Sequence, residues 1–290
     1  MRILRLGAPR CDGGEGPLWD VAEQALYYID NSGRKAHRFV PETQQSRSWD
    51  FSDVITALAL RRNGGAVVAL KSGIHLLDFA GGSVERLPPS GDATIRNFNG
   101  GKVDRRGRFL IGGSTSTIHD PTPDGGLFRL DPDHRVTRLD HDIHFSNGPC
   151  WAPDDRTFYF SDSWRKTIYA YDYNIDTGVP ANRRTFVNTA ELGGLPDGAT
   201  VDSDGLLWVA IYGAGKLAAY GPDGQLERLI EMPVKYVSSV MFGGPNLDQL
   251  FVTTIARAHG SSEPPQEGAG YVYVVEDLGA TGVPEPRYGG

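Results

Sequence analysis

Six stretches of the chain open on the same plan, and their spacing is the strongest constraint on its fold. Glu15 begins EGPLWDVAEQALYYID, Thr56 begins TALALRRNGGAVVAL and Asn99 begins NGGKVDRRGRFLIGG. Asn147 begins NGPCWAPDDRTFYFSD, Asp197 begins DGATVDSDGLLWVAIYG and Ser238 begins SSVMFGGPNLDQLFVTT. In each, a polar or small anchor leads an alternating strand to an apolar residue four positions on: Trp19, Leu60, Val103, Trp151, Val201 and Phe242. A polar turn follows, usually with Gly or Asp, and then a second apolar strand such as 25–29 or 207–210. A weaker third strand comes after it, as at 35–40, 126–130, 167–173 and 216–220. Successive anchors stand 41 to 50 residues apart, the period of a four-stranded propeller blade. The Gly and Asp turns suit hairpins because they supply positive φ at little steric cost.

The expected fold is therefore all-β: one six-bladed β-propeller domain over residues 1–290, with four-stranded blades around a central metal-binding channel. Closing the ring removes the sheet edges that an open array would expose. The last strand, near 270–275, is expected to pair with 3–6 to close it. Leucine-rich and ankyrin consensus residues are absent, and a β-sandwich would not return to one motif at this spacing. The 37 glycines, 19 prolines and 10% aromatic residues fit many short strands joined by tight turns.

Net charge is −7 and the basic residues are scattered, so nucleic acid is not an expected partner. No apolar window is long enough to span a bilayer, and Met1 to Leu6 do not read as an export leader. One disulfide between Cys11 and Cys150 is arithmetically possible, but two free thiols in a cytoplasmic monomer is the reading adopted.

Repeat position becomes spatial position in a propeller, because equivalent residues ring the axis at one height. Four of the six anchors, Glu15, Asn99, Asn147 and Asp197, carry an oxygen able to bind a cation. Removing such groups from water without partners costs several kcal/mol each. Two carboxylates aimed at one axis also repel unless something positive lies between them. A hard divalent ion answers both demands, since carboxylate and amide oxygens are its favoured ligands. Alone, any Asn or Asp beside Gly reads as a turn residue; agreement in register over four repeats is what makes the set.

These residues sit in GEGPLWD (14–20), RNFNGGKVDRRGRFLIGG (96–113), SNGPCWAPDDRTFYFSDS (146–163) and PDGATVDSDGLLWVA (196–210). With them the chain resembles the SMP-30/gluconolactonase/regucalcin family of six-bladed propellers, in motif order and over nearly its whole length. The resemblance implies that Glu15, Asn147 and Asp197 are metal ligands, and that Asn99 sits beside the metal, directly or through a water. The family often has Arg-x-Asn-Asp-Gly, whose Arg and Asn touch sugar hydroxyls. Here Asn97 stands in the Arg position and Gly100 in that of the Asp. Either Arg96 turns in to serve or substrate recognition has changed.

The resemblance further implies hydrolysis of the lactone of a sugar acid with one divalent ion, Ca, Mn, Mg, Zn or Fe(II), as cofactor. Glu15 and Asp197 are the expected catalytic residues, Asp197 as general base and Glu15 for charge balance and metal fixation. Arg96, Asn97, Asn99 and His144 are the expected substrate contacts, with His144 equally readable as a surface or packing residue. The stretch 114–125 reads as a lid or as a plain connecting loop. No GxSxG elbow or zinc-protease spacing occurs. Two other readings stand beside the first: a propeller hydrolase of a non-sugar lactone or phosphoester, which an apolar pocket would favour, and a non-catalytic calcium-binding propeller.

Overall fold

The computed structural model describes residues 1–88, 97–114, 122–258 and 260–290. A first strand, β1 (Arg2–Arg5), precedes the blades. Blade one holds β2 (Gly14–Asp20), β3 (Ala25–Asp30), β4 (Lys35–Val40) and β5 (Gln45–Asp50). Blade two holds β6 (Ile55–Leu60), β7 (Ala66–Leu70), β8 (Gly73–Leu77) and β9 (Val84–Arg86). Blade three holds β10 (Asn97–Val103), β11 (Phe109–Ser114), β12 (Gly125–Leu130) and β13 (Val136–Ile143). Blade four holds β14 (Ser146–Trp151), β15 (Thr157–Asp162), β16 (Thr167–Asn174) and β17 (Val179–Asn188). Blade five holds β18 (Leu195–Val201), β19 (Leu207–Tyr212), β20 (Lys216–Tyr220) and β21 (Leu226–Glu231). Blade six holds β22 (Val237–Gly243), β23 (Gln249–Thr254) and β24 (Tyr273–Glu276), and β1 is its fourth strand. The expected six-bladed propeller is the fold. Its ring closes where expected, with Ile3 opposite Val275 and Arg5 opposite Tyr273.

Packing explains why the blades form a ring. The apolar clusters lie between blades, not within them. Ile111, Phe109 and Phe98 of blade three join Leu58 and Val68 of blade two and Tyr27 of blade one. Trp19 and Tyr28 of blade one meet Phe251 of blade six, with the Trp19 and Phe251 rings 5.3 Å apart. Each large side chain so buried contributes roughly 1.5–3 kcal/mol. Every blade therefore needs both neighbours.

Turn chemistry differs from the sequence reading in blade one. Gln24, Arg34 and Gln44 hold the positive φ of its three hairpins, at 47°, 56° and 57°, where the expected turn residues were Gly or Asp. The last residues depart more. Six blades were expected to account for essentially the whole chain, yet 277–290 form a strap across the blades. Its bonds are Asp202 to Gly282 in a bridge, Arg287 to Asp20 at 2.6 Å, Tyr288 N–H to Leu60 O at 2.8 Å, and Tyr288 Oη to Asp131 O at 2.7 Å. Cys11 and Cys150 are buried and unbridged. Among the described residues no helix is long and apolar enough to cross a membrane.

Candidate metal centre

Each innermost strand carries a β-bulge at its anchor. The pairing register shifts between Glu15 and Leu18, Ile55 and Ala57, Asn99 and Gly101, Asn147 and Cys150, Pro196 and Ala199, and Val237 and Ser239. A bulge twists the strand and re-aims a side chain out of the ladder. The Gly after three of the anchors serves it: Gly16, Gly100 and Gly148 have φ of 53°, 59° and 56°. At Gly148 a Cβ would also come 2.8 Å from the Asp197 carbonyl oxygen. These Asn-Gly and Glu-Gly pairs are bulge chemistry, not hairpin turns.

The bulges bring the anchors to one place. Glu15, Thr56, Asn99, Asn147 and Asp197 all line a cavity of about 660 Å³ open at one end of the ring. Glu15, Asn99 and Asn147 also border a much narrower space beneath it, which Glu285 and Pro286 of the strap help to line. Lys102 pairs with Glu285 there at 3.2 Å. The result is a funnel with the four oxygen-bearing anchors at its floor.

Asn147 is held on both sides. Its Nδ2 donates to Ser163 Oγ at 3.0 Å, and Ser163 Oγ donates to Pro196 O at 2.6 Å. Its Oδ1 accepts from Asn99 Nδ2 at 2.8 Å, which also donates to Ser146 O at 2.8 Å. Asn99 thus orients Asn147, and its own Oδ1 stays available. Ser163 lies inside a motif legible in the sequence, but its contact to Pro196 is made across 33 residues and left no local signal. Ser238, the sixth anchor, turns away from the cavity: its Oγ donates to Gly14 O at 2.6 Å, tying blade six to the strand that carries Glu15.

The two carboxylates are electrostatically strained. Burial pushes the Glu15 carboxyl up to about 7 against a bond from Gly16 N–H. Burial first, and then the charge of Glu15, raises Asp197 well above the usual carboxylate range, against a bond from Gly198 N–H. Among the described residues no Lys, Arg or His forms an ion pair with either. A donor set of two unpaired carboxylates and two amide oxygens fits a hard divalent cation, which would neutralise the pair.

The expected substrate residues are distributed unevenly. Asn97 and Asn99 line the funnel. Arg96 and most of the expected lid, 115–121, lie outside the described residues. His144 is not in the lining; its Nδ1 sits 3.1 Å from Asp162 Oδ2, while its neighbour Phe145 does face the cavity. The walls are more apolar than a sugar requires, with Val54, Phe98, Phe145, Leu195 and Ile255, and among the described residues Lys71 and Lys166 are the basic ones in the lining.

Residues 13–256 match the SMP-30/Gluconolactonase/LRE-like region. The chain is 34% identical to the pentonolactonase XacC of Haloferax volcanii, covering 99% of this chain and 98% of that one. It is 37% identical to a 6-deoxy-6-sulfogluconolactonase of Pseudomonas putida, covering 86% and 85%. A solved calcium-binding protein, regucalcin, of Agrobacterium tumefaciens superposes with a TM-score of 0.88 at 25% identity, covering 98% and 96%.

Proposed function

The chain belongs to the SMP-30/gluconolactonase/LRE-like family, and from that premise we propose that it is a carboxylic-ester hydrolase opening the lactone of a sugar acid with the help of a divalent cation. The observation that carries this reading is the convergence of Glu15, Asn99, Asn147 and Asp197 on one funnel floor. The two relatives named as lactonases support the reaction class. Such an ion, when bound, polarises a carbonyl oxygen and makes water more acidic.

The chain's own residues do the rest. Glu15, Asn147 and Asp197 hold the ion, and Asn99 keeps the Asn147 oxygen turned toward it. Asp197 Oδ takes the proton of the attacking water, a general-base role that needs a carboxylate within hydrogen-bond reach. Asn97 and Asn99 offer amides to substrate hydroxyls. Lys71 and Lys166 place positive charge around a product that gains a carboxylate. The reaction suits sugar catabolism, and a monomer suffices because the funnel is built within one ring.

A second reading has an observation of its own: the apolar wall of Val54, Phe98, Phe145, Leu195 and Ile255 favours a lactone with fewer hydroxyls. A pH-stat assay over aldonolactones and alkyl lactones, with and without chelator, decides between them. Chelator-sensitive hydrolysis of aldonolactones is the expected result. Faster turnover of alkyl lactones supports the second reading, and no hydrolysis of any lactone by metal-replete protein refutes both.

A further inference from the structure

Outside the funnel, one cluster of ligand-type side chains has no role in the reaction. Cys11 precedes β2, Asp30 ends β3 and His37 lies on β4, and their ligand atoms all lie within 4.8 Å of one another. All three are buried, at 1%, 5% and 3% exposure. Among the described residues this is the one such group of three His, Cys, Asp or Glu side chains. We propose that Cys11, Asp30 and His37 form a second, buried site for a thiophilic divalent cation of the zinc class.

Asp30 has a structural duty, and blade four shows what that duty requires. The Asp30 carboxylate accepts from the N–H groups of Asp12, Gly13 and Gly33. Asp162, its counterpart, accepts from His144, Phe145 and Arg165 in the same pattern. By register, the residues of blade four that match Cys11 and His37 are Ile143 and Tyr169. Blade four tethers its loop with the His144 ring 3.1 Å from the carboxylate but with no thiol. Blade one adds a thiol to an imidazole, both facing a carboxylate that is already fixed.

The imidazole is poised as a ligand. His37 Nδ1 is engaged by Ser48 Oγ at 2.8 Å, and Nε2 is buried with no hydrogen-bond partner. An orphaned buried nitrogen is costly and calls for an explanation. Burial lowers the His37 pKa and so favours the neutral ring, whose free nitrogen carries a lone pair. Burial, with Asp30 next, raises the Cys11 thiol, so the free site keeps its proton. Binding then exchanges that proton for the ion: S–H breaks, sulfur–metal forms, and one proton leaves to solvent. One thiolate, one carboxylate and one neutral imidazole balance a double charge, and a water completes a tetrahedral set. Asp30 also holds Gly13, two residues from Glu15, so occupancy braces the strand that presents Glu15 to the funnel.

Cobalt(II) separates this site from the funnel, whose donors are all oxygens. Metal-free protein is refolded from denaturant with cobalt(II), so entry to a buried site is no barrier. We expect thiolate-to-cobalt charge-transfer absorption in the near ultraviolet, lost in Cys11→Ser, weakened in His37→Gln and kept in Cys150→Ser. Circular dichroism reports whether each variant folds. Should Cys11→Ser fail to fold, cadmium-113 resonance of Cys150→Ser decides, a thiolate-range signal supporting the site and its absence overturning it. No charge-transfer band in the wild type, or a band retained by folded Cys11→Ser, also overturns it.

Discussion

Asn147 Nδ2 donates to Ser163 Oγ at 3.0 Å, and the same hydroxyl donates onward to Pro196 O at 2.6 Å, next to Asp197. One serine thus couples the amide of blade four to the carboxylate of blade five, both proposed as ligands. Ser163→Ala leaves the Asn147 amide held on one side, by Asn99. Loss of an orienting contact of this kind typically costs 10–100-fold in metal affinity, and calorimetric titration with manganese should show a fall in that range. The thermal midpoint should also drop, because a buried amide N–H and a buried carbonyl lose their partner.

Gly148→Ala tests the bulge itself. The residue has φ of 56°, and a Cβ would stand 2.8 Å from Asp197 O. Left-handed strain of about 1–2 kcal/mol adds to that clash, so the variant should lose metal binding and at least that much stability in urea unfolding. The same substitution at Gly213, also at positive φ but with nothing within 4 Å of a Cβ, should cost only the strain and leave metal binding intact.

The metal-free protein should lose stability as pH rises. The Glu15 carboxyl is raised to about 7 and Asp197 is raised as well, so the folded chain binds these protons more tightly than the unfolded one. The Glu15 contribution is full below its ordinary value of 4.5 and is lost as pH rises through about 7, and Asp197 shifts stability in the same direction. The Glu15 shift alone corresponds to a loss of about 3 kcal/mol. Glu15→Gln should flatten the profile, and added divalent ion should reverse the decline in the wild type. Chemical unfolding across that range measures all three.

Much of this architecture is legible in the sequence, for a physical reason. A propeller repeats one strand register, so Glu15, Asn99, Asn147 and Asp197 declare their shared height through their shared place in the repeat. What the repeat does not encode was invisible. The strap from Asp277 matches no blade, and its contacts to Asp20, Leu60 and Asp131 join residues 157 to 267 positions away. Ser163 falls in a readable motif, yet its value lies in a bond to another blade. His144 sits beside a lining residue, but the Asp162 carboxylate holds its ring.

The strap gives its own prediction. Arg287 bonds Asp20, whose side chain is 5% exposed, at 2.6 Å. Arg287→Ala leaves that carboxylate uncompensated and should destabilise the fold by about 1–3 kcal/mol. Differential scanning calorimetry should record a lower midpoint, and Asp20→Asn in the same background should recover part of it.

The central claim is that one divalent ion bridges residues from three blades on the funnel floor. A crystal soaked in manganese, with anomalous difference density, tests it most directly, because manganese favours oxygen over the Cys11 thiol. The account predicts a peak about 2.0–2.5 Å from oxygens of Glu15, Asn147 and Asp197. A fully soaked crystal with no peak there, or with Asp197 turned away from the ion, would contradict it.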